Sequence, residues 1–412
     1  MARLFTRLRV ALLATAVLAA SAACGDGFDD EPEQQSGPAN LQILIASSGD
    51  AETNAVKEAA AAWASATGNT ATVTPAQDMV QQLGQAFAGG TPPDVFYVDA
   101  SRFADYASVG ALEPYADRIS GGVEDFYSSL RETFTYQGKL YCIPKDFSTL
   151  ALQINTDLWA QAGLTEADYP STWEELTSVA QRLKDADITP LVLGDTRDRI
   201  GAFMVAAGGW LVSEDGTTAT ADRPENLRAL QYVQGLLRDG LAVYPSQVDA
   251  GWGGEAFGKG LVAMAVEGNW IKGALSNDFP DVKYTVIPMP SGPAGQGTLS
   301  FTQCWGIAAK SQYKEQAINF VEYMTTAEQQ LKFTEAFGVM PSRQSARAGY
   351  LQQFPDDQAF IDSAEFAQGP VNAPKMDSVL ADFDSQLQGL AEGDPKAILE
   401  RLQDNLTTAL QG

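Results

Sequence analysis

The feature that most constrains the fold is a regular alternation of short apolar segments and amphipathic segments near the start of the chain. The pattern predicts strands over 41–46, 70–74 and 94–98, with helices over 53–67 and 79–88 between them. Strands that alternate with helices in this way form a parallel sheet covered by helices on both faces. The sequence therefore predicts an α/β fold.

Ligands of an open sheet of this kind bind at the carboxyl ends of the strands. The loop after the first strand contains Ser48 and Asp50, and the loop after the third contains Asp99 and Ser101. These polar side chains are the first candidates for a binding site. Helix capping is the alternative interpretation of Asp50 and Asp99, because each lies just before a predicted helix.

The alternation of helices and strands continues to the end of the chain. With 412 residues, the chain is long enough for two or three domains. Further helices are predicted over 156–162, 173–186, 200–207, 224–239, 314–337 and 378–411, and further strands over 261–266, 284–288 and 301–308.

The first 40 residues are predicted to be an export signal and a tether. Arginines precede an apolar run over 10–20, small residues follow, and then Cys24. This order is typical of a secretory signal peptide, here 1–23, and the run is too short to span a membrane. The cysteine after small residues resembles the lipobox of bacterial lipoproteins, which implies lipidation of Cys24. Residues 24–40 are acidic and turn-forming and are predicted to be flexible; an ordinary secreted protein with a chance cysteine is the alternative.

The composition excludes several classes of function. The chain has no histidine, so it contains no Ser-His-Asp or Cys-His triad and no histidine-ligated metal. Its 27 Lys and Arg against 52 Asp and Glu give a formal charge of −25, which argues against binding nucleic acid or an anionic lipid surface. We expect no cofactor and no metal.

The two cysteines outside the predicted signal are expected to form a disulfide. Outside the cytoplasm, two remaining thiols most often pair, so Cys142 and Cys304 are the predicted bridge. Two buried free thiols are the alternative, because the sequence does not give the distance between the two residues.

Several short motifs share their order and spacing with one family over about 250 residues. They include Pro93-Asp94-Val95-Phe96, Ser171-Thr172-Trp173-Glu174-Glu175-Leu176, Ala207-Gly208-Gly209-Trp210, Gly268-Asn269-Trp270 and Trp305-Gly306-Ile307-Ala308-Ala309. The chain resembles the family 1 extracellular solute-binding proteins, the maltose-binding-protein-like sugar receptors of bacterial ABC importers.

The resemblance implies a two-lobed, periplasmic-binding-protein-like fold of type II. Each lobe would be a mixed, mainly parallel sheet with helices on both faces, and crossover hinge strands at 141–147 and 288–301 would join the lobes. The N-terminal lobe would comprise 41–144 and 300–345, and the C-terminal lobe 145–299 and 346–412. Closure of the hinge around a ligand is the implied motion.

The resemblance also implies which residues hold the ligand. Trp270 and Trp210 fall at family positions that stack on sugar rings. Independently of the resemblance, Trp252 and Glu255 lie in a glycine-rich segment whose backbone a ligand could approach. At the first crossover the family has a glutamate where this chain has Ser148, and Asp146 is expected to supply the carboxylate. The alternatives are core packing for Trp270, a loop aromatic that caps the following helix for Trp252, and an ion pair with Lys145 for Asp146.

The predicted function is that of a lipid-anchored, monomeric receptor, not an enzyme, that delivers a carbohydrate to an ABC permease. Residues 375–380 contain no Trp or Tyr at a family aromatic position, so a disaccharide, a short oligosaccharide or a glycosyl-polyol is expected as much as a long glucan. The alternatives are a receptor of the same fold for a polyamine, glycerol phosphate or a metal complex, a carboxylate-pair glycoside hydrolase, and an adhesion module.

Overall fold

The structure is a computed structural model that describes residues 34, 35 and 37–411. The predicted signal peptide, Cys24 and most of the predicted tether lie outside the described residues. The strands are β1 (Asn40–Ile45), β2 (Thr70–Pro75), β3 (Val95–Asp99), β4 (Thr135–Tyr136), β5 (Lys139–Leu140), β6 (Ile143–Asn155), β7 (Leu191–Val192), β8 (Ala242–Val243), β9 (Met264–Gly268), β10 (Tyr284–Ile287), β11 (Thr298–Ile307), β12 (Met340–Pro341) and β13 (Ala367–Gln368).

The α-helices surround these strands and connect most of them. They are α1 (Asp50–Thr67), α2 (Met79–Ala88), α3 (Ala100–Ser108), α4 (Ser128–Thr133), α5 (Thr156–Gln161), α6 (Trp173–Asp185), α7 (Arg197–Ala206), α8 (Pro224–Arg238), α9 (Gly253–Gly258), α10 (Ile271–Asp278), α11 (Lys314–Met324), α12 (Ala327–Phe337), α13 (Arg347–Gln353), α14 (Gln358–Asp362), α15 (Asp377–Leu387) and α16 (Pro395–Gln411).

One mixed sheet connects the two halves of the described chain. Its strand order is β2-β1-β3-β11-β6-β9-β7-β8. At one end β1 pairs in parallel with β2 and β3, and at the other β7 pairs in parallel with β8 and β9. The long strands β6 and β11 lie between these groups and pair antiparallel with each other. The predicted α/β class is correct.

The hydrophobic side chains form two large cores, one on each side of the central strands. The first core draws on residues 39–143 and 304–333, and the second on residues 150–299 and 371–406. Strand β6 begins in the first core with Ile143 and ends in the second with Ile154. We call the parts around these cores the first half and the second half.

Residues 350–364 pack differently from the residues that follow them. Tyr350, Phe360 and Ile361 form a third, smaller cluster with Tyr127 and Phe147. The chain then enters the second core after β13, which pairs with β11. The chain thus passes between the halves a third time, beside the two predicted crossovers. The lobe boundaries given above remain a prediction.

Two predicted long helices are each divided in the structure. The segment 314–337 forms α11 and α12, because the Thr326 side chain accepts a hydrogen bond from the backbone N–H of Gln329 and starts a new helix. The segment 378–411 forms α15 and α16, and Pro395 is the first residue of α16. Both breaks coincide with capping residues that the periodicity alone did not reveal.

The family-like motif at 171–176 is a helix start. The Thr172 side chain accepts from the backbone N–H of Glu175, and the Glu175 carboxylate accepts from the backbone N–H of Ser171 at 2.7 Å. These reciprocal bonds fix the first turn of α6, whose Trp173 and Leu176 then pack into the second core. Among the residues that the structure describes, no helix combines the length and the apolar character that crossing a membrane requires.

Candidate functional site

A cavity of about 210 Å³ lies between the two halves. The first half contributes Asp99 and Ser101, the second half contributes the start of α7 and Trp210, and β11 lies between them. The structure therefore brings three predicted site residues, Asp99, Ser101 and Trp210, to one cavity. Its lining residues are Asp99, Ala100, Ser101, Arg197, Asp198, Trp210, Leu299, Ser300, Phe301, Thr302, Gln368, Gly369, Pro370 and Val371.

Asp99 is both a helix cap and a cavity residue. It ends β3, and its Oδ1 accepts from the backbone N–H of Ser101 at 2.9 Å and from the Ser101 hydroxyl at 2.6 Å. The capping interpretation of Asp99 is therefore correct. The same bonds hold the Asp99 carboxylate and the Ser101 side chain at the carboxyl end of a parallel strand, facing the cavity.

Trp270 is exposed and is not a core residue. Its exposed fraction is 36%, the ring packs edge-on against Phe301 at a centroid distance of 5.1 Å, and Phe301 also lines the cavity. A Cβ atom on Gly268 would lie 2.2 Å from the indole, so only glycine lets the ring fold back over the backbone there. The core-packing interpretation of Trp270 is wrong.

The cations at the site are already paired with carboxylates. At the start of α7, Arg197 pairs with Asp384 and Arg199 pairs with Glu267 at 2.7 Å. The Arg199 guanidinium also lies over the ring of Trp270, 5.1 Å from its centroid. These arginines and Glu267 were not predicted as site residues. Glu267 carried the clearest signal, because it is an acid within an otherwise apolar strand.

A second charged group lies where the first crossover strand meets α1. Lys145 contacts Glu52 at 3.0 Å and also pairs with Asp146, and its ammonium lies 4.6 Å from the ring centroid of Tyr97. Glu52 is 3% exposed and accepts hydrogen bonds from the backbone N–H and the hydroxyl of Ser48, both at 2.8 Å. The predicted residues Ser48 and Asp146 are thus joined through Lys145 and Glu52. The alternative reading, in which Lys145 pairs with Asp146, is correct.

The two carboxylates of this group have opposite pKa shifts. Burial raises the pKa of Glu52, but the charge of Lys145 and the hydrogen bonds from Ser48 outweigh it, so the pKa lies below its usual value. Burial raises the pKa of Asp146 above its usual value; Lys145 compensates only in part, and the negative charge of Glu52 raises the pKa of Asp146 further. Asp146 is therefore the less well compensated charge.

The other predicted residues have more local contacts. Asp50 is exposed in the first turn of α1, and Ser148 lies on β6 opposite Phe301. The Glu255 carboxylate pairs with Lys259 and accepts from the backbone N–H of Gly251 at 2.7 Å, and these two contacts lower its pKa.

Trp252 packs next to the start of its own helix. It is partly buried in a small cluster with Phe257 and Phe279, and its ring occupies the space that a Cβ on Gly254 would take. This contact agrees with the interpretation of Trp252 as a loop aromatic at the start of a helix.

The two cysteines outside the predicted signal pair as predicted. Cys142 and Cys304 form a disulfide, with their Cα atoms 5.8 Å apart. The bridge connects the residue before β6 to the middle of β11, and both residues belong to the first core. In the described part of the chain, no group of three or more Cys, Asp and Glu side chains is arranged to hold a metal ion.

Comparison with known proteins gives consistent similarities. The profile of the family described as bacterial extracellular solute-binding protein matches residues 48–331. A galactooligosaccharide-binding protein of Bacillus subtilis (strain 168) is 24% identical over 412 residues, covering 95% of this chain and 94% of its own. A Brucella abortus (strain 2308) protein named only as a binding protein is 25% identical over 349 residues, covering 80% of this chain and 82% of its own.

A solved structure with a similar fold supports the architecture. The cyclic alpha-maltosyl-1,6-maltose binding protein from Arthrobacter globiformis aligns with a TM-score of 0.82 at 20% identity, over 91% of this chain and 100% of that chain. At this level of identity the likeness concerns the fold alone, and it agrees with the predicted two-lobed fold.

Proposed function

This chain belongs to the bacterial extracellular solute-binding proteins, and from that premise we propose that it captures a carbohydrate in the cavity between its halves and presents it to an ABC permease. Members of this family bind solutes and are not enzymes. The similar proteins named above bind a galactooligosaccharide and a cyclic maltosyl-maltose, as their names state. The ligand proposed here is a disaccharide, a short oligosaccharide or a glycosyl-polyol.

The observation that carries this proposal is an exposed aromatic surface beside polar side chains. Trp210 lines the cavity, and Phe301 connects it to the exposed ring of Trp270. Indole faces stack on the C–H surfaces of sugar rings, and carboxylates such as Asp99 accept hydrogen bonds from sugar hydroxyls. This combination suits a neutral, polyhydroxylated ligand.

The charges of the site favour a neutral ligand over an anionic one. Carboxylates outnumber cations here, and each of the three cations already has a carboxylate partner. A phosphate group would need cations that are free to bind it. The carboxylates are Glu52, Asp99, Asp146, Asp198, Glu267 and Asp384, and the cations are Lys145, Arg197 and Arg199.

A polyamine is the second candidate, because the same surplus of carboxylates beside tryptophans would also attract an organic cation. Sugar and polyamine differ in what they need from the site. A sugar depends mainly on stacking and hydrogen bonds, whereas a polyamine depends on the net negative charge and loses affinity as salt increases.

The remaining parts of the proposal concern the site, the lobes and the attachment to the cell. We assign ligand contacts to the predicted residues Ser48, Asp50, Asp99, Ser101, Asp146, Ser148, Trp210, Trp252, Glu255 and Trp270. We propose an N-terminal lobe of 41–144 and 300–345, and a C-terminal lobe of 145–299 and 346–412, which close on the ligand about the crossover strands. We also propose that the exported chain is monomeric and is held on the outer face of the membrane by a lipid on Cys24.

A thermal-shift measurement on residues 34–412 tests the ligand class. A ligand that binds only the native state raises the free energy of unfolding by RT ln(1 + [L]/Kd), so the midpoint rises with ligand concentration. We expect shifts with maltotriose or 4-galactobiose, and none with glycerol 3-phosphate. A shift with spermidine but with no carbohydrate in a wider panel would reject the sugar proposal in favour of a polyamine.

Replacing the exposed tryptophan tests the stacking role. Trp270→Ala is expected to weaken sugar binding by about 1–3 kcal/mol, because it removes the aromatic face. Trp270→Phe is the matched control and should retain part of the affinity. Isothermal titration gives the affinity and a melting curve reports the fold; unchanged affinity in Trp270→Ala would refute the assignment.

A further inference from the structure

Glu267 is a buried acid in contact with the exposed tryptophan. One carboxylate oxygen, Oε2, accepts from the indole Nε1–H of Trp270 at 3.0 Å and from Nη2 of Arg199 at 2.7 Å. The Glu267 residue is 2% exposed. A buried carboxylate is costly unless it is paired and hydrogen-bonded, and here both partners are side chains at the edge of the proposed binding cavity.

The surroundings leave little room for Glu267 to move. A Cβ on Gly253 would lie 2.6 Å from the other carboxylate oxygen, Oε1, so the carboxylate occupies the space that a side chain on Gly253 would need. On the other side, Gly268 lets the indole of Trp270 pack against its backbone. Two residues without side chains thus make room for one carboxylate and one indole, and close packing restricts both.

Arg199 completes the arrangement. Its guanidinium carbon lies 5.1 Å from the ring centroid of Trp270 and 5.9 Å from that of Phe301. The cation therefore contacts both aromatic rings while Glu267 holds it. Since Arg199 is at the start of α7 and Glu267 is on β9, the contact connects two elements of the second half around the indole.

We propose that Glu267 is a positioning residue for ligand binding. Its carboxylate orients the indole of Trp270 and holds Arg199 over the ring, so that the indole is fixed before the ligand arrives. A fixed aromatic side chain loses less rotamer entropy on binding than a mobile one, which increases affinity without any contact between Glu267 and the ligand. This inference rests on the proposed function, in which Trp270 stacks on a sugar.

A double-mutant cycle separates this role from a purely structural ion pair. Glu267→Gln keeps the size of the side chain and removes its charge, and Glu400→Gln removes a charge of the same sign from an exposed helical pair with Lys396. With maltotriose and 4-galactobiose as probes, we expect Glu267→Gln to weaken binding about tenfold and Glu400→Gln to leave it unchanged. In a Trp270→Phe background, Glu267→Gln should have almost no further effect.

A ligand-free measurement follows the indole directly. The chain contains seven tryptophans, and after labelling with 5-fluorotryptophan the ¹⁹F resonance that disappears in Trp270→Phe belongs to Trp270. Glu267→Gln should shift or broaden this resonance and leave the other six in place. If Glu267→Gln does not fold, Glu267→Asp, which keeps the charge and shortens the side chain, should give the same selective change.

The outcomes distinguish the inference from the proposed function. An unmoved Trp270 resonance, or an affinity loss that persists in Trp270→Phe, would overturn the positioning role even if sugars bind. If the wild-type chain binds neither sugar, the stacking proposal fails for these probes, and the Trp270 resonance alone then decides whether Glu267 fixes the indole.

Discussion

At the scale of single residues, the buried lysine of the first crossover is shared unequally between two acids. Lys145 is 8% exposed and contacts both Glu52 and Asp146. One ammonium group cannot fully compensate two carboxylates. The pKa of Glu52 is lowered and that of Asp146 is raised, so Glu52 contributes to stability whereas the ionised Asp146 reduces it.

Charge removal should therefore have opposite effects at these two positions. At pH 7 we expect Glu52→Gln to lower the free energy of unfolding by about 1–3 kcal/mol, because it removes a buried carboxylate that Lys145 and Ser48 stabilise. Asp146→Asn should leave stability unchanged or raise it. Denaturant unfolding of the ligand-free variants measures both values. Equal destabilisation by the two substitutions would contradict the conclusion that Glu52 and Asp146 contribute unequally to stability.

The dependence on pH follows from the signs of the two shifts. The stability contributed by Glu52 is present above its unfolded pKa of about 4.3 and is lost as pH falls through its lower folded pKa. Asp146 has the opposite effect, because its ionisation in the folded protein lowers the free energy of unfolding. This loss of stability is absent below the unfolded pKa of about 3.9 and develops as pH rises towards the higher folded pKa. The difference between wild type and Glu52→Gln should thus shrink in acid.

At the scale of elements, the disulfide joins the two strands that connect the halves. Cys142 immediately precedes β6, and Cys304 is within β11 with a sequence separation of 162 residues. Strand β11 also pairs with β3, so the bridge fixes the edge where the first half meets both crossover strands. A bridge over so long a loop mainly restricts the unfolded chain.

Removing the bridge should lower stability without changing the binding site. In residues 34–412, Cys142→Ala with Cys304→Ala is expected to cost about 2–5 kcal/mol in the free energy of unfolding. Both cysteines are buried in the first core and neither lines the cavity, so affinity should change little. A reductant should lower the midpoint of thermal unfolding of the wild type but not that of the double variant. Equal effects on both proteins would argue against the bridge.

At the scale of the whole molecule, two contacts connect α3 in the first half with the α15 region in the second. Arg102 pairs with Asp377, and the Asp105 carboxylate accepts from the backbone N–H of Lys375 at 2.7 Å. The Arg102 and Asp377 side chains are partly exposed, so the pair adds little to folding stability. Its larger effect should be on how closely the halves approach each other.

A charge-exchange experiment tests this effect. Arg102→Ala should change the free energy of unfolding by less than about 1 kcal/mol, but it should increase the radius of gyration of the ligand-free chain in small-angle X-ray scattering. Arg102→Asp combined with Asp377→Arg should restore the wild-type value, because the attraction is re-formed. A radius of gyration that is the same in all three proteins would show that the pair does not hold the halves together.

The sequence predicted those features that depend on local patterns. The strands and helices of residues 41–98 follow from hydrophobic periodicity, and the resemblance identified the family through short motifs such as Gly268-Asn269-Trp270. The same motif marked Trp270, whose exposure the structure then established. The helix breaks before Ala327 and Pro395 do not follow from apolar periodicity, because they are set by local capping and turn residues: Thr326 at the first break, and Asp394 with Pro395 at the second.

The pairing of charges could not be predicted in the same way. Arg199 and Glu267 are 68 residues apart, and Arg197 and Asp384 are 187 residues apart. With 52 acidic residues in the chain, spacing alone does not select a partner for either arginine. Only the tertiary arrangement of α7, β9 and α15 brings these partners within reach. Because both arginines are then paired with carboxylates, they are not free to bind an anionic ligand.

The sequence by itself determined the α/β class, the family and the aromatic candidates, because periodicity, turn residues and short motifs act through neighbouring positions. The tertiary structure decided which side chains meet: Asp99 with Trp210 across one cavity, and Glu267 with Trp270 and Arg199 beside it. The first meeting depends on strands β6 and β11 passing between the halves, whereas the second joins α7 and β9 within the second half. Contacts between distant residues are set by the packing of whole elements, and that packing is not encoded in any local pattern.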